Sequence, residues 1–153
     1  MNDITLSLVD ISKVDISTFE QQFVDCVILT QDGQILLQYR PTNWHTSPDK
    51  LTILGGHLEK DEPVFEGLKR ELAEELGAVV DEVRLVETLS EEISGVKSLI
   101  HIYFWHDRRG TIQGCYEGEA RFYKSVDEAL SQPNLMPHTS WALKESKARG
   151  FFS

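Results

Sequence analysis

The chain has 153 residues, 41% hydrophobic and 26% charged, the make-up of one compact domain with a core; a fibrous, low-complexity or largely disordered protein is excluded. Fifteen Lys and Arg against 25 Asp and Glu leave a formal charge of -10, which argues against nucleic acid as a partner and implies that any polyanionic ligand brings cations with it. No apolar run approaches the roughly 18 residues of a membrane span, and the N-terminus, with Asp3, Asp10 and no basic residue before Lys13, lacks the pattern of a secretory leader. Cys26 and Cys115 are too few and too far apart for a disulfide framework and read as reduced thiols in or near strands. The expectation is a cytoplasmic protein with no membrane partner, its residues 1–153 forming a single domain with no repeat or linker.

Residues 21–29 read as a strand, the Asp32-Gly33 turn follows, and residues 35–39 resume strand character, so the pair is a hairpin. After a polar loop containing Pro41 and Pro48, residues 51–54 form a short strand expected to stop at Gly55-Gly56. From Pro63 to Leu76 the period becomes helical, because Phe65, Leu68, Leu72 and Leu76 share one face; Pro63 suits the first turn and Gly77 the position past the end. Residues 83–89 and 99–106 read as two more strands, the second rich in aromatics, with one of Phe104 and Trp105 expected in the core and the other in a cleft. A strand over 119–124, a brief helix over 126–130 capped by Ser125, and a last helix from Pro137 to about Ala148 complete the chain. Strands on both sides of a central helix imply an α/β class, with helices packed on a mixed β-sheet.

The central helix places Glu71, Glu74 and Glu75 within one turn, beside the leucine stripe. Like charges at this spacing destabilise a helix by a few tenths of a kcal/mol per pair, and Glu74 and Glu75 occupy the last turn, where the helix dipole favours cations. Clustered hard oxygens of this kind are what Mg²⁺ or Mn²⁺ requires, although on helix geometry alone a Glu-Glu pair near a helix end is more often a solvated face. Between Gly56 and Ala78 seven acidic residues face three basic ones, so the segment carries -4 of the total charge and favours a cation there. Gly55 and Gly56, lacking side chains, let a backbone carbonyl approach a cation or a phosphate.

The stretch from Gly56 to Ala78 resembles the Nudix box, Gly-x5-Glu-x7-Arg-Glu-U-x-Glu-Glu-x-Gly-U with U apolar, at every fixed position: Gly56, Glu62, Arg70, Glu71, Leu72, Glu74, Glu75, Gly77 and Ala78. The resemblance implies the Nudix α/β/α sandwich and hydrolysis of a diphosphate linkage, in a nucleoside diphosphate-linked substrate or a nucleoside triphosphate, by water attacking phosphorus with Mg²⁺ or Mn²⁺. Carried onto this sequence, Glu71, Glu74, Glu75 and the Gly55 carbonyl would bind metal, Arg70 would orient the glutamates, and Glu62 would support Arg70. Glu71 is one candidate base; Glu117, just before a strand, is the loop candidate, with Glu119 in reserve. No Pro sits where the ADP-ribose branch has one, and no NADH or coenzyme A branch motif is present; residues 39–56 loosely resemble isoprenoid-diphosphate isomerases. A nucleoside triphosphate, oxidised or not, and a sugar nucleotide stay open. The alternative is a catalytically weak nucleotide-sensing or interaction module on the same fold.

Outside the box, Arg40 could reach a phosphate through its planar fork, with a surface ion pair as the other reading. Trp44 and Tyr39 could stack a base. His57 fits a satisfied surface histidine better than a ligand, and Trp141 fits core packing. Relatives suggest a possible homodimer, with the aromatic strand around Phe104 as its contact.

Overall fold

The structure, a computed structural model, describes residues 4–152. Eight strands form one mixed sheet: β1 (Ile4–Leu8), β2 (Gln21–Leu29), β3 (Ile35–Arg40), β4 (Lys50–Thr52), β5 (Leu54–His57), β6 (Val83–Ile93), β7 (Val96–His106) and β8 (Glu119–Tyr123). Three helices accompany it, α1 (Val64–Leu76), α2 (Val126–Leu130) and α3 (Pro137–Ala148), with two single-turn 3-10 helices between β1 and β2. The main path runs β1-β6-β7-β2-β3-β4, with β5 on β2 and β8 on β3. The β2–β7 pairing is parallel; the other ladders are antiparallel.

β2 is buried on both sides, and its period-2 alternation divides its side chains between two cores. Val24, Cys26 and Ile28 join Leu68, Leu72 and Leu76 of α1, while Val27 and Leu29 join Ala129 of α2 and Ala142 and Leu143 of α3. The expected α/β/α sandwich is therefore present, with α1 on one face of the sheet and α2 and α3 on the other. The three α1 leucines are fully buried, each contributing about 1.5–3 kcal/mol. Gly77 ends α1 in the left-handed conformation at φ 64, its N–H reaching the Ala73 carbonyl, while Pro63 stands at the N-cap, one residue outside the helix.

β2 pairs with β5 over Phe23–Cys26 and with β3 over Ile28–Leu29, so the sheet divides at Val27. The divergence of β3 from β5 sets the two walls of a cleft.

Four local features differ from the sequence reading. The strand expected to stop at Gly55-Gly56 instead restarts at Leu54 and runs through both glycines, because β2 lies close enough to pair with them. The strands read over 83–89 and 99–106 are arms of a longer hairpin closed at Ser94-Gly95, both with positive φ. β1 adds an edge strand on β6. Phe104 and Trp105 are both buried, one in each core, and Phe104 lies under Phe151 and Phe152. Trp141 packs against the α3-side core as expected. No described helix is long and apolar enough to cross a membrane.

Candidate active site

The cleft has a volume of about 820 Å³. Its α1 wall carries Glu71 and Glu75; Gly55 and Gly56 form the floor, and Glu117 and Gly118 of the loop before β8 complete this end. Gly55 has φ +153, and a Cβ there would collide with the Val24 carbonyl and the Asp25 carboxylate. A Cβ on Gly56 would stand 2.5 Å from Glu71 Oε2. Both glycines are thus demanded by packing, and the second keeps space for a carboxylate.

Arg70 organises the glutamates. Its Nε donates to Glu62 Oε2 at 2.7 Å, Nη2 to Glu62 Oε1 at 2.8 Å and to the His57 carbonyl at 3.1 Å, and Nη1 to Glu71 Oε1 at 3.0 Å and Glu74 Oε2 at 3.4 Å. This bidentate grip and the Glu59 N–H hold the Glu62 carboxyl down at about 2, so Glu62 remains an anion and pins the guanidinium.

Glu75 is different. It is 4% exposed, and its Oε2 has no hydrogen-bond partner among the described residues. Burial, followed by the charges of Glu71, Glu117 and Asp25, pushes its carboxyl up to about 9. Burial also raises Glu71, with Arg70 opposing it. The Gly55 N–H opposes the Glu75 shift, but a buried carboxylate that repels its neighbours and has one oxygen unpaired is costly unless a cation compensates it.

Among the described residues no three His, Cys, Asp or Glu side chains already form a metal cage. Arg70 holds Glu71 and Glu74 toward itself. The donor set still fits a hard divalent cation: oxygen ligands only, one orphaned and buried, beside a floor without side chains.

The loop that bears Glu117 is fastened to the end of α1. Gln113 N and Tyr116 N donate to the Leu76 and Glu75 carbonyls, each at 2.8 Å, and Gln38 Nε2 donates to the Glu117 carbonyl at 3.1 Å. Glu117 lines the cleft, whereas Glu119 is outside it and pairs with Arg121 at 3.6 Å. Arg40 and Trp44 also line the cleft; Arg40 Nε is buried without a partner among the described residues, and its Nη1 donates to the Thr46 carbonyl at 3.4 Å. Tyr39 is not part of the wall: its hydroxyl donates to Asp49 at 2.7 Å, and Arg121 covers its ring at 4.4 Å. His57 packs against Phe23 and lies 3.0 Å from Gln21 Oε1, satisfied as expected.

The cleft also holds a cluster that the sequence reading missed: Asp25 from β2, beside the Gly55 floor, Glu91 from β6 and His138 from α3, with Thr52 beside them. All four are less than a tenth exposed. The only sequence-level signal was polarity inside apolar strands, at Asp25 above all.

The NUDIX domain family matches residues 21–144. The CTP pyrophosphohydrolase of Escherichia coli (strain K12) is 37% identical over 112 residues, 72% of this chain and 80% of that protein. The solution structure of the E. coli ORF135 protein aligns at 31% identity with a TM-score of 0.68, covering 88% of this chain and 94% of that one. The MutT protein from Methanosarcina mazei Go1 aligns with a TM-score of 0.72 over 85% of this chain and 94% of that one, a likeness of fold alone at 19% identity. Since the matched span takes in every residue that lines the cleft, the chain belongs to the Nudix family and is a pyrophosphohydrolase of the Nudix type.

Proposed function

We propose that the chain hydrolyses a nucleoside triphosphate to the monophosphate and pyrophosphate with Mg²⁺ or Mn²⁺, with cytidine triphosphate the first candidate. The observation that carries this reading is the buried Glu75 in the cleft wall beside Glu71 and the two floor glycines, its Oε2 without a partner among the described residues. Nudix hydrolases generally use divalent metals, and the name of the 37% identical relative supports the choice of nucleotide.

In this reading Glu71, Glu74, Glu75 and the Gly55 carbonyl hold the cation or cations. When bound, the metal neutralises phosphate charge and acidifies water. Glu117, facing Glu71 and Glu75 across the cleft, takes the proton from the attacking water, with Glu71 the other candidate for that step. Water adds to phosphorus, the bridging P–O bond breaks, and pyrophosphate departs with the electron pair. Arg70, locked by Glu62, fixes the glutamates in advance so that little reorganisation accompanies the charge shift. Arg40 reaches the phosphates and Trp44 supplies a stacking face. The same reading places the enzyme in the cytoplasm, with its nucleotide and cation.

The test is pyrophosphate release from a panel of ribo-, deoxy- and oxidised nucleoside triphosphates, nucleotide sugars and ADP-ribose, with and without Mg²⁺. Metal-dependent turnover of a triphosphate is expected. Turnover confined to nucleotide sugars or ADP-ribose, or none with any compound, contradicts the reading.

A further inference from the structure

We infer that Asp107 is a positioning residue for the hydrolysis: from outside the cleft it sets where Glu117 stands, through the loop that joins β7 to β8. This rests on the reading above, in which Glu117 takes the proton from the attacking water, and deepens it.

Residues 107–118 form no helix or strand, so no regular element fixes Glu117 relative to α1. The loop is held by its own backbone N–H groups instead. Asp107, 2% exposed and just past the end of β7, spends both carboxylate oxygens on the chain ahead of it. Its Oδ1 accepts from Thr111 N at 2.9 Å and from Thr111 Oγ1 at 3.0 Å, and its Oδ2 accepts from Ile112 N at 3.1 Å. The Thr111 hydroxyl in turn accepts from Val79 N at 3.0 Å, shortly beyond the end of α1. The next donors go to the orphan carbonyls of that helix end: Gln113 N at 2.8 Å and Gly114 N at 3.3 Å to Leu76, and Tyr116 N at 2.8 Å to Glu75. Five of the six N–H groups from Thr111 to Tyr116 are thus committed, two to Asp107 and three to α1.

The clasp shortens the tether to Glu117. Between Ile112 and Glu117 lie the four residues 113–116; without Asp107's hold the free span back to β7 becomes the nine residues 108–116, with more conformations to lose on docking against α1. Only a carboxylate suits this place, since it meets three donors, and an amide would turn its own N–H groups toward one of them. Tyr116, Glu117 and Gly118 line the cleft, whereas Asp107 and Thr111 stand outside its lining, so Asp107 acts on turnover through the loop. The residue whose carbonyl receives Tyr116 N is Glu75, so the same contact that ends the strap sets the loop carboxylate against the buried one.

The test is a double-mutant cycle of Asp107→Asn and Glu117→Gln, read as pyrophosphate release from CTP at saturating Mg²⁺. Asp107→Asn is expected to lower kcat about tenfold with KM within about twofold, since a displaced base loses rate rather than affinity. Glu117→Gln alone is expected to be about 100-fold slower than wild type, the scale for a lost general base. In that background Asp107→Asn is expected to change kcat by less than about twofold, because the two residues act as one unit. No fall in wild type, or equal falls in both backgrounds, overturns the positioning role alone. Full turnover by Glu117→Gln contradicts the base reading and takes the positioning role with it. Amide exchange reads the clasp without substrate: faster exchange at Gln113, Gly114 and Tyr116 is expected in Asp107→Asn, and unchanged protection there overturns the inference whatever the substrate. Where Asp107→Asn does not fold, Thr111→Val is expected to lower kcat about threefold, and Thr111→Ser, which keeps the hydroxyl, to restore it; a loss that Thr111→Ser leaves in place overturns the clasp.

Discussion

Two acidic clusters line the cleft, and they handle buried charge in opposite ways. At the α1 end, Glu71, Glu74 and Glu75 share one turn of a helix, and Arg70 compensates two of them while Glu75 is left over. In the second cluster, Asp25, Glu91 and His138 arrive from three elements, and the histidine sits between the two carboxylates at 3.4 and 3.9 Å. The first leaves a buried carboxylate that calls for a cation; the second carries its own basic side chain.

The sharpest way to break the α1 end without touching a charge is Gly56→Ala. The new Cβ would stand 2.5 Å from Glu71 Oε2, and displacing that carboxylate by about an ångström is expected to cost on the order of 100-fold in kcat. Unaltered turnover in steady-state kinetics would show that Glu71 can do its work from elsewhere.

Removing support rather than position comes next. Glu62→Gln loses the charged half of the bidentate grip on Arg70, and a loss of about 10- to 100-fold is expected for such an outer partner. Because Gln can keep one of the two hydrogen bonds, the unfolding midpoint should move little; a large drop with full activity would make Glu62 structural only.

At the far side, Trp44→Ala removes the stacking face on the cleft wall. Stacking of a base on an aromatic ring contributes about 1–3 kcal/mol, so KM should rise about 5- to 100-fold while kcat changes little. A fall in kcat alone would move Trp44 out of the binding surface.

A separate effect concerns stability without added metal. Glu75 holds its proton far above the usual carboxylate range, so between about pH 4.5 and 9 the folded chain carries one more proton than the unfolded one. Stability from this group is present at low pH and lost as pH rises through that window, with a slope of at most about 1.4 kcal/mol per pH unit. Denaturant titrations across pH 5 to 9 should show this fall in wild type, a flatter line in Glu75→Gln, and recovery when Mg²⁺ is added.

The same contrast explains what the sequence revealed. The α1 end was legible because its residues lie within one helix, where a spacing of three or four positions fixes their proximity, and because the box specifies the types. Arg40 and Trp44 were legible as residue types at the end of a strand, and the structure brings both to the cleft. The second cluster was not legible: residues 25, 91 and 138 meet only through sheet order and the packing of α3, which no local period encodes. The hairpin turn at Ser94-Gly95 was missed although its residues suit it, since Glu91 and Glu92 interrupt the apolar pattern there; Glu91 does so because it faces the cleft. Tyr39 was misjudged for a related reason, its ring being claimed by Arg121 from β8.

The most direct test of the central claim is the Mg²⁺ dependence of pyrophosphate release from CTP by wild type and Glu75→Gln, with unfolding midpoints recorded alongside. The expected result is saturable activation of wild type by Mg²⁺ and a loss on the order of 10²- to 10³-fold in the variant, the scale for removing one charge-stabilising group, at an equal or higher midpoint. Metal-dependent turnover that survives in a folded Glu75→Gln would contradict the assignment of this carboxylate, and with it the account of why the α1 end leaves it unpaired.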